Sequence, residues 1–382
     1  MRVLVLGGDG YLGWPTAMHF AARGHQVMVV DNYLRRNLAR ETQSEPLLIA
    51  PNLHERARVF QEHWAASIAV VIGNLSDPST CREIFSDFNP DAVVHYAEIP
   101  SAPYSMMGFD SARLTLNNNL NVTFNVVWSV LRHCPDCHII KLGTMGEYGT
   151  PNIQIEEGWL DVEHKGRRHT FLYPRQGGSL YHTTKVLDTD LLWFYVRTHG
   201  IRVTDLMQGP VYGVLTAESE ADERLLPHFH YDDIFGTVLN RFLVQAAACV
   251  PLTVYGSGGQ TRGYLNIIDT LRCVELAALH PAEPGQLRIF NQFTEVFSVR
   301  ELADMVKEAG RDVGVPVTVE SIPNPRKELE EHYYSVEHQA LLDLGLAPHL
   351  LTQDALAAML THVLRHKGKI ARERIHPRVA WH

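Results

Sequence analysis

Tyr181-His182-Thr183-Thr184-Lys185 places a tyrosine and a lysine at i and i+4. On a helix that spacing puts both side chains on one face. An ammonium beside a phenol stabilises the phenolate and lowers its pKa from ~10, making it a general base for a carbinol proton. Thr144, in Leu142-Gly143-Thr144 at the end of an apolar run, can hold the same hydroxyl. A YxxxK by itself is common and describes a half-buried tyrosine beside a surface lysine equally well. Its meaning depends on what else the chain carries.

A glycine motif at the amino terminus supplies that company. Gly7, Gly10 and Gly13 form GxxGxxG, preceded by the apolar run Val3 to Leu6 and followed by a helical stretch from Trp14 to Arg23. Glycines there allow a tight turn and let the backbone approach a pyrophosphate seated on the helix N-terminus. The strand and the helix that this mechanism requires are both present. Asp31 closes the next apolar run, where a carboxylate accepts bonds from ribose hydroxyls. An acid there repels a 2′-phosphate, so NAD is expected rather than NADP, although Arg35 and Arg36 stand close by.

Elements with short connections hold these groups. Strands are expected at Val3 to Leu6, Gln26 to Val30, Ile68 to Ile72, Ala92 to His95, His138 to Leu142 and Ile201 to Asp205. Helices are expected at Pro78 to Phe85, Leu114 to Arg132 and Ser179 to Thr198. The alternation implies βαβ units, hence an α/β fold with a Rossmann-type doubly wound parallel sheet. Beyond residue 206 the pieces shorten. Strands Leu252 to Tyr255 and Leu287 to Asn291 alternate with helices Leu239 to Ala248, Thr270 to Leu279 and Val299 to Gly310. We expect a dinucleotide domain over 1–206. A smaller mixed α+β substrate lobe over 207–382 sends some segments back to the first domain.

Composition excludes other classes. The chain has 382 residues, 45% of them apolar, and 34 basic against 43 acidic residues give a net charge of −9. That apolar content excludes disorder, and a mildly acidic surface repels nucleic-acid phosphates. Five cysteines are too few and too odd for a disulfide scaffold and suit a reducing compartment. No apolar run reaches the ~20 residues of a membrane helix, and the first residues lack a signal-peptide pattern, so a soluble, cytoplasmic protein is expected. Cys134-Pro-Asp-Cys137 lacks a second pair, and no metal is expected. His228, His230, Asp232 and Asp233 are expected in a polar loop over the cleft, facing substrate or solvent. The basic stretch Arg365 to Arg378 is expected as a solvated helix face and arm.

Taken together, these motifs resemble the extended short-chain dehydrogenase/reductase superfamily of nucleotide-sugar epimerases and dehydratases. The stretches GGDGYLGWPTAMH, VDNYLRR, SAPYSM, KLGTMGEYGTPNI, YPRQ, YGSGGQTRGYL, NQFTE and NPRKELEEHYY are more similar still to the UDP-sulfoquinovose synthase family, over most of the chain. The resemblance implies that Tyr181, with Lys185 and Thr144, removes the sugar 4-hydroxyl proton while C4 reduces NAD. The 4-ketone then acidifies C5, water leaves across C5–C6, sulfite adds at C6, and the hydride returns. Met145, Glu147 and His182 are the positions it places at the C5–C6 chemistry. For the cofactor it implies Tyr11, Leu12, Asn32, Arg35, Arg36, Asn74, Leu75 and Asn119 beside the glycines, Asp31, Tyr181 and Lys185. For a UDP-hexose it implies Ser101, Thr144, Gln208, Tyr255, Gln260, Arg262 and Arg326, arginines being suited to a diphosphate. Sulfite as co-substrate and a homodimer are implied in the same way. Other readings are a 4-epimerase or another 4-keto epimerase/dehydratase working without sulfite, and a silent dinucleotide-binding regulator. The intact Thr144, Tyr181 and Lys185 speak against the last.

The chain departs from the family near the sugar. Ile99 stands where an amide is usual, Leu187 where a histidine is, Gly177-Gly178 where hydroxyl residues or alanine are, and Asn74 where an aspartate is. Asn117 and Val122 also differ.

Overall fold

The protein is described here by a computed structural model covering residues 1–326, 332–376 and 378–379. Part of the family-like NPRKELEEHYY stretch, 327–331, lies outside the described residues, as does Pro377 in the basic stretch.

A seven-stranded sheet forms the first layer. Its strands include β1 (Arg2–Leu6), β2 (Gln26–Asp31), β3 (Ile68–Ile72), β4 (Ala92–His95) and β5 (His138–Thr144). The remaining two are Arg202–Gln208 and Leu287–Gln292. The order across the sheet is Leu287–Gln292, Arg202–Gln208, β5, β4, β1, β2, β3, and every neighbouring pair is parallel. Thus the edge strand on one side comes from beyond residue 207. A parallel sheet must be covered on both faces, which explains why β1 is almost wholly apolar and buried.

One face packs under Phe85, Val126 and Leu192, from helices Pro78–Phe88, Phe109–His133 and Leu180–His199. The other packs under Trp14, Phe60 and Val274, from α1 (Gly13–Ala22) and helices Leu53–Trp64 and Ile267–Leu279. The register aligns the carboxyl ends: Leu6 is opposite Val30 and His95, and Thr144 is opposite Gln208. A ligand crevice opens at such ends.

A second core lies between helices Val238–Ala247, Val299–Asp312 and Gln353–Arg365. The parallel pair Leu252–Tyr255 and Val319–Ile322 belongs to this lobe, and so does a three-stranded sheet containing Thr261–Asn266. The hairpin Trp159–His164/Arg167–Leu172 and helix Leu34–Glu41 were not expected from the sequence.

Charged segments differ in part from expectation. The basic stretch exposes Arg365, Lys367, Lys369 and Arg372, but it is anchored rather than a free arm: Arg374 pairs with Glu45 at 2.6 Å, and the Arg378 amide donates to Asp233 at 2.5 Å. His228, His230 and Asp232 turn inward rather than towards solvent. His228 lies 3.3 Å from Asp9, His230 2.9 Å from the Ser44 carbonyl, and Asp232 accepts the Ile234 amide at 2.8 Å. Buried polar groups need such partners, and the segments around 42–50 and 371–379 provide them. Among the described residues no group of side chains is arranged to hold a metal, all five cysteines are free thiols, and no helix could cross a membrane.

Candidate active site

A cavity of about 620 Å³ opens at the carboxyl ends of the strands. Gly7, Gly10, Tyr11, Leu12 and Gly13 line one end of it. Gly7 has φ +84°, and a Cβ there would lie 2.8 Å from the Tyr96 carbonyl carbon. A Cβ on Gly13 would collide with the Gly7 carbonyl oxygen. No side chain caps α1, so its N-terminal dipole is left to a ligand. Asp31 lines the same end, with Asn32, Arg35, Asn74 and Leu75. This cradle fits a dinucleotide: glycine backbone and helix N-terminus for the pyrophosphate, and a carboxylate for the ribose. Tyr11 donates its hydroxyl to the Gly213 carbonyl, joining the glycine loop to the second lobe.

Arg36 and Asn119 are placed differently from expectation. Arg36 does not line this cavity. Its guanidinium grips Asp9 through Nε at 2.6 Å and Nη2 at 2.5 Å, and it also donates to the carbonyls of Ala50 and Pro51. Burial pushes Asp9 up, yet Arg36 and His228 hold its carboxyl well below the usual range. Asn119 is fully buried and structural, accepting the Ile99 amide at 2.9 Å and donating to Thr184 at 3.0 Å. Its neighbour Asn118 is the residue that reaches the cavity.

The catalytic candidates come from β5 and helix Leu180–His199. Ser179 caps that helix by accepting the His182 amide at 3.2 Å, and the Tyr181 amide donates to Ser105 at 3.0 Å. Thr144, Met145, Tyr181 and His182 all line the cavity. Lys185 is buried just behind, its Nζ 5.8 Å from the Tyr181 ring centre, 2.6 Å from the Leu142 carbonyl and 2.7 Å from Glu98. That changes the expected electrostatics. Burial, and then the charges of Glu98 and Glu147, push the Tyr181 phenol above its ordinary value. Burial of the phenol thus outweighs the lowering expected from Lys185, whose ammonium is also paired with Glu98. His182 is lowered to about 4, by burial first and then by Arg262 and Arg326, so its imidazole is neutral near pH 7.

Glu147 is a second correction. It is fully buried and lies behind the residues that line the cavity. Its carboxylate accepts Lys141 Nζ, the Thr144 amide and Thr189, all at 3.2 Å, with Arg175 at 3.7 Å. Lys141 in turn reaches Asp205 at 3.2 Å. Glu147 thus belongs to an ion network under the strand end.

At the other end of the cavity lie Gln208, Tyr255, Gln260, Arg262 and Arg326. Ser101 does not reach it, because its hydroxyl donates to the Ile234 carbonyl at 2.6 Å and accepts the Tyr104 amide. Sequence reasoning missed Glu98 and Arg241, which both line the cavity. Arg241 donates to the Tyr255 hydroxyl at 2.7 Å and is buried. Its signal was a lone cation within an apolar helix, and Glu98's was an acid soon after an apolar strand. Of the departures, Asn74, Ile99, Val122 and Gly178 line the cavity, whereas Leu187 is exposed on the far side of its helix.

The family model described as "NAD dependent epimerase/dehydratase family" matches residues 3–291. UDP-sulfoquinovose synthase of Spinacia oleracea, a chloroplastic protein, is 47% identical over 380 residues, covering 100% of this chain and 79% of its own. UDP-sulfoquinovose synthase of Sulfolobus acidocaldarius is 41% identical over 384 residues, covering 100% and 98%. Among solved structures, a UDP-glucose 4-epimerase from Stenotrophomonas maltophila with bound NAD and formylated UDP-arabinopyranose superposes with a TM-score of 0.74 at 16% identity, over 97% of this chain and 100% of that one. The chain belongs to the NAD-dependent epimerase/dehydratase family and groups within it with the UDP-sulfoquinovose synthases, which makes it an NAD-dependent enzyme.

Proposed function

We propose that the protein makes a UDP-sulfosugar from UDP-glucose and sulfite through a 4-keto intermediate. The observation that carries this reading is one cavity shared by the glycine cradle, Tyr181, Thr144, Met145 and His182. Bound NAD supplies the hydride acceptor and donor for C4. Tyr181 takes the 4-hydroxyl proton while Thr144 holds that oxygen. The ketone acidifies C5; the neutral His182 imidazole accepts the C5 proton and passes it to the departing 6-hydroxyl, which leaves as water. Bisulfite then adds through sulfur at C6 and its proton goes to C5, after which C4 is reduced again and Tyr181 returns its proton to the 4-oxygen. Met145 forms an apolar wall beside these groups. Arg241, Arg262 and Arg326 suit the diphosphate, with Gln208, Tyr255 and Gln260 beside them. Glu147 acts through Lys141 rather than on the sugar.

Incubation with UDP-glucose, with and without sulfite, followed by mass spectrometry tests this. A sulfonated product is expected. An isomer of unchanged mass, made without sulfite, would replace the reading with 4-epimerisation. The second reading is favoured by Ile99, which sets an apolar side chain in the cavity where the resemblance implies an amide.

We also infer a homodimer, supported by Phe124, Trp128, Leu187 and Phe194, exposed at 36–47% on the adjacent helices Phe109–His133 and Leu180–His199. Apolar surface of this kind marks an interface. The division at residue 206 into cofactor and substrate lobes is part of the same reading, as is a reducing, cytoplasmic setting for five free thiols.

A further inference from the structure

Glu98 has no role in the chemistry described so far, yet it faces the cavity beside its most reactive pair. It follows β4, and its side chain is 1% exposed. One carboxylate oxygen lies 2.7 Å from Lys185 Nζ and 3.8 Å from His95 Nε2. Neither oxygen accepts a well-aligned hydrogen bond among the described residues. A buried carboxylate with so little support costs several kcal/mol unless a charge compensates it, and Lys185 is the cation within reach.

The surroundings define which charges matter. On helix Leu180–His199, Tyr181, Lys185 and Asp188 face Glu98. His95 faces it from β4. Lys141 on β5 and Glu147 in the turn after β5 act on Lys185 from its other side. His95 is bonded to Thr123 at 3.0 Å and lowered to about 4 by burial, so it adds no charge near pH 7. Asp188 is fully buried, and burial followed by Glu98 pushes its carboxyl well up. Lys141 is already matched by Asp205 and Glu147. Glu98 is the carboxylate that pairs with Lys185, at 2.7 Å.

We propose that Glu98 is a positioning residue for the Tyr181–Lys185 pair: its carboxylate, paired with Lys185 behind the cavity, fixes where the ammonium sits and what charge the phenol faces. The assignment rests on the nucleotide-sugar chemistry proposed above. Removing the carboxylate leaves the phenol with one fewer negative neighbour and frees the ammonium to approach it. Both effects make the phenol easier to ionise.

The test is the pH dependence of kcat/KM for UDP-glucose, and of the first reduction of enzyme-bound NAD by UDP-glucose. In Glu98→Gln the acid limb of both profiles moves towards lower pH by about one unit or more, the size of effect a charge within ~4–6 Å produces. Glu98→Asp keeps the charge but shortens the reach. Its limb stays near the parent's while turnover falls, and it serves as the variant should Glu98→Gln not fold. An unmoved limb in Glu98→Gln, or a Glu98→Asp protein that turns over at the parent rate, overturns the assignment. A parent protein that never reduces its cofactor with a nucleotide sugar overturns the function itself, and Glu98's role with it.

Discussion

The carboxylate of Asp31 accepts the backbone amide of Asp9 at 2.9 Å, tying the end of β2 to the glycine loop. It also accepts the Tyr33 amide at 2.7 Å. Burial, followed by the Asp9 charge, raises its pKa from 3.8 to about 6. The folded cofactor-free protein therefore holds this proton more tightly than the unfolded chain, so the contribution of Asp31 to stability is best at low pH and is lost as pH rises through about 6. Asp31→Asn should raise the melting temperature of the cofactor-free protein at pH 7. It should also weaken NAD, because a charged hydrogen bond to ribose contributes ~1.5–3 kcal/mol. In the parent, NAD retention should fall as pH drops through about 6. Equal NAD content in the two purified proteins would show that Asp31 serves only the loop.

Tyr181→Phe removes the phenol oxygen and keeps the ring. Turnover should drop at least ~10²-fold, the lower range for a general base, while NAD stays bound. Near-normal turnover of UDP-glucose would remove Tyr181 from the mechanism.

How far the sequence alone reveals the site depends on whether a residue's job is local. The glycine loop, Asp31 and the Tyr-Lys spacing follow from short-range rules, and the apolar strands follow from a sheet buried on both faces. Arg36, Ser101, Asn119 and Glu147 look like ligand residues in one dimension. Their partners are Asp9, the Ile234 carbonyl, Thr184 and Lys141, which the fold brings up from distant or oppositely facing positions. The same holds for the 228–236 segment, whose polar side chains read as a solvent loop. They are instead satisfied by 42–50 and by the tail. The edge strand Leu287–Gln292 pairs with Arg202–Gln208 across a long gap that no local pattern encodes.

The Lys141 network carries its own prediction. Asp205 and Glu147 hold the buried ammonium charged despite burial. Lys141→Met leaves Asp205 without its cation and Glu147 with Arg175 at 3.7 Å, a loss on the order of 3–5 kcal/mol. Acid should narrow the gap to the parent, because it removes uncompensated negative charge. Denaturant unfolding at pH 7 and near pH 4 reads this directly. A deficit that widened in acid would mean the network stabilises the fold in some other way.

His182 separates oxidation at C4 from the later chemistry. Its Nδ1 lies 3.1 Å from Ser179 Oγ, and the ring sits so close over Gly146 that a Cβ there would collide with it. The imidazole is thus fixed in the cavity and, with a pKa lowered to about 4, uncharged at pH 7, with one nitrogen open to accept a proton. Such a group can accept the C5 proton over the whole neutral range and loses that ability only as pH falls through about 4. In heavy water the parent should place deuterium at C5 of UDP-glucose. His182→Gln should slow that exchange by ~10²-fold or more. Since Tyr181 and Thr144 are untouched, oxidation at C4 continues, and reduced cofactor should build up on the variant and be visible by its absorbance. Unchanged exchange in His182→Gln would assign the C5 proton to another base. A parent that interconverts C4 epimers with no deuterium at C5 would mean that the protein stops at the ketone, and Ile99 would then mark the altered reaction.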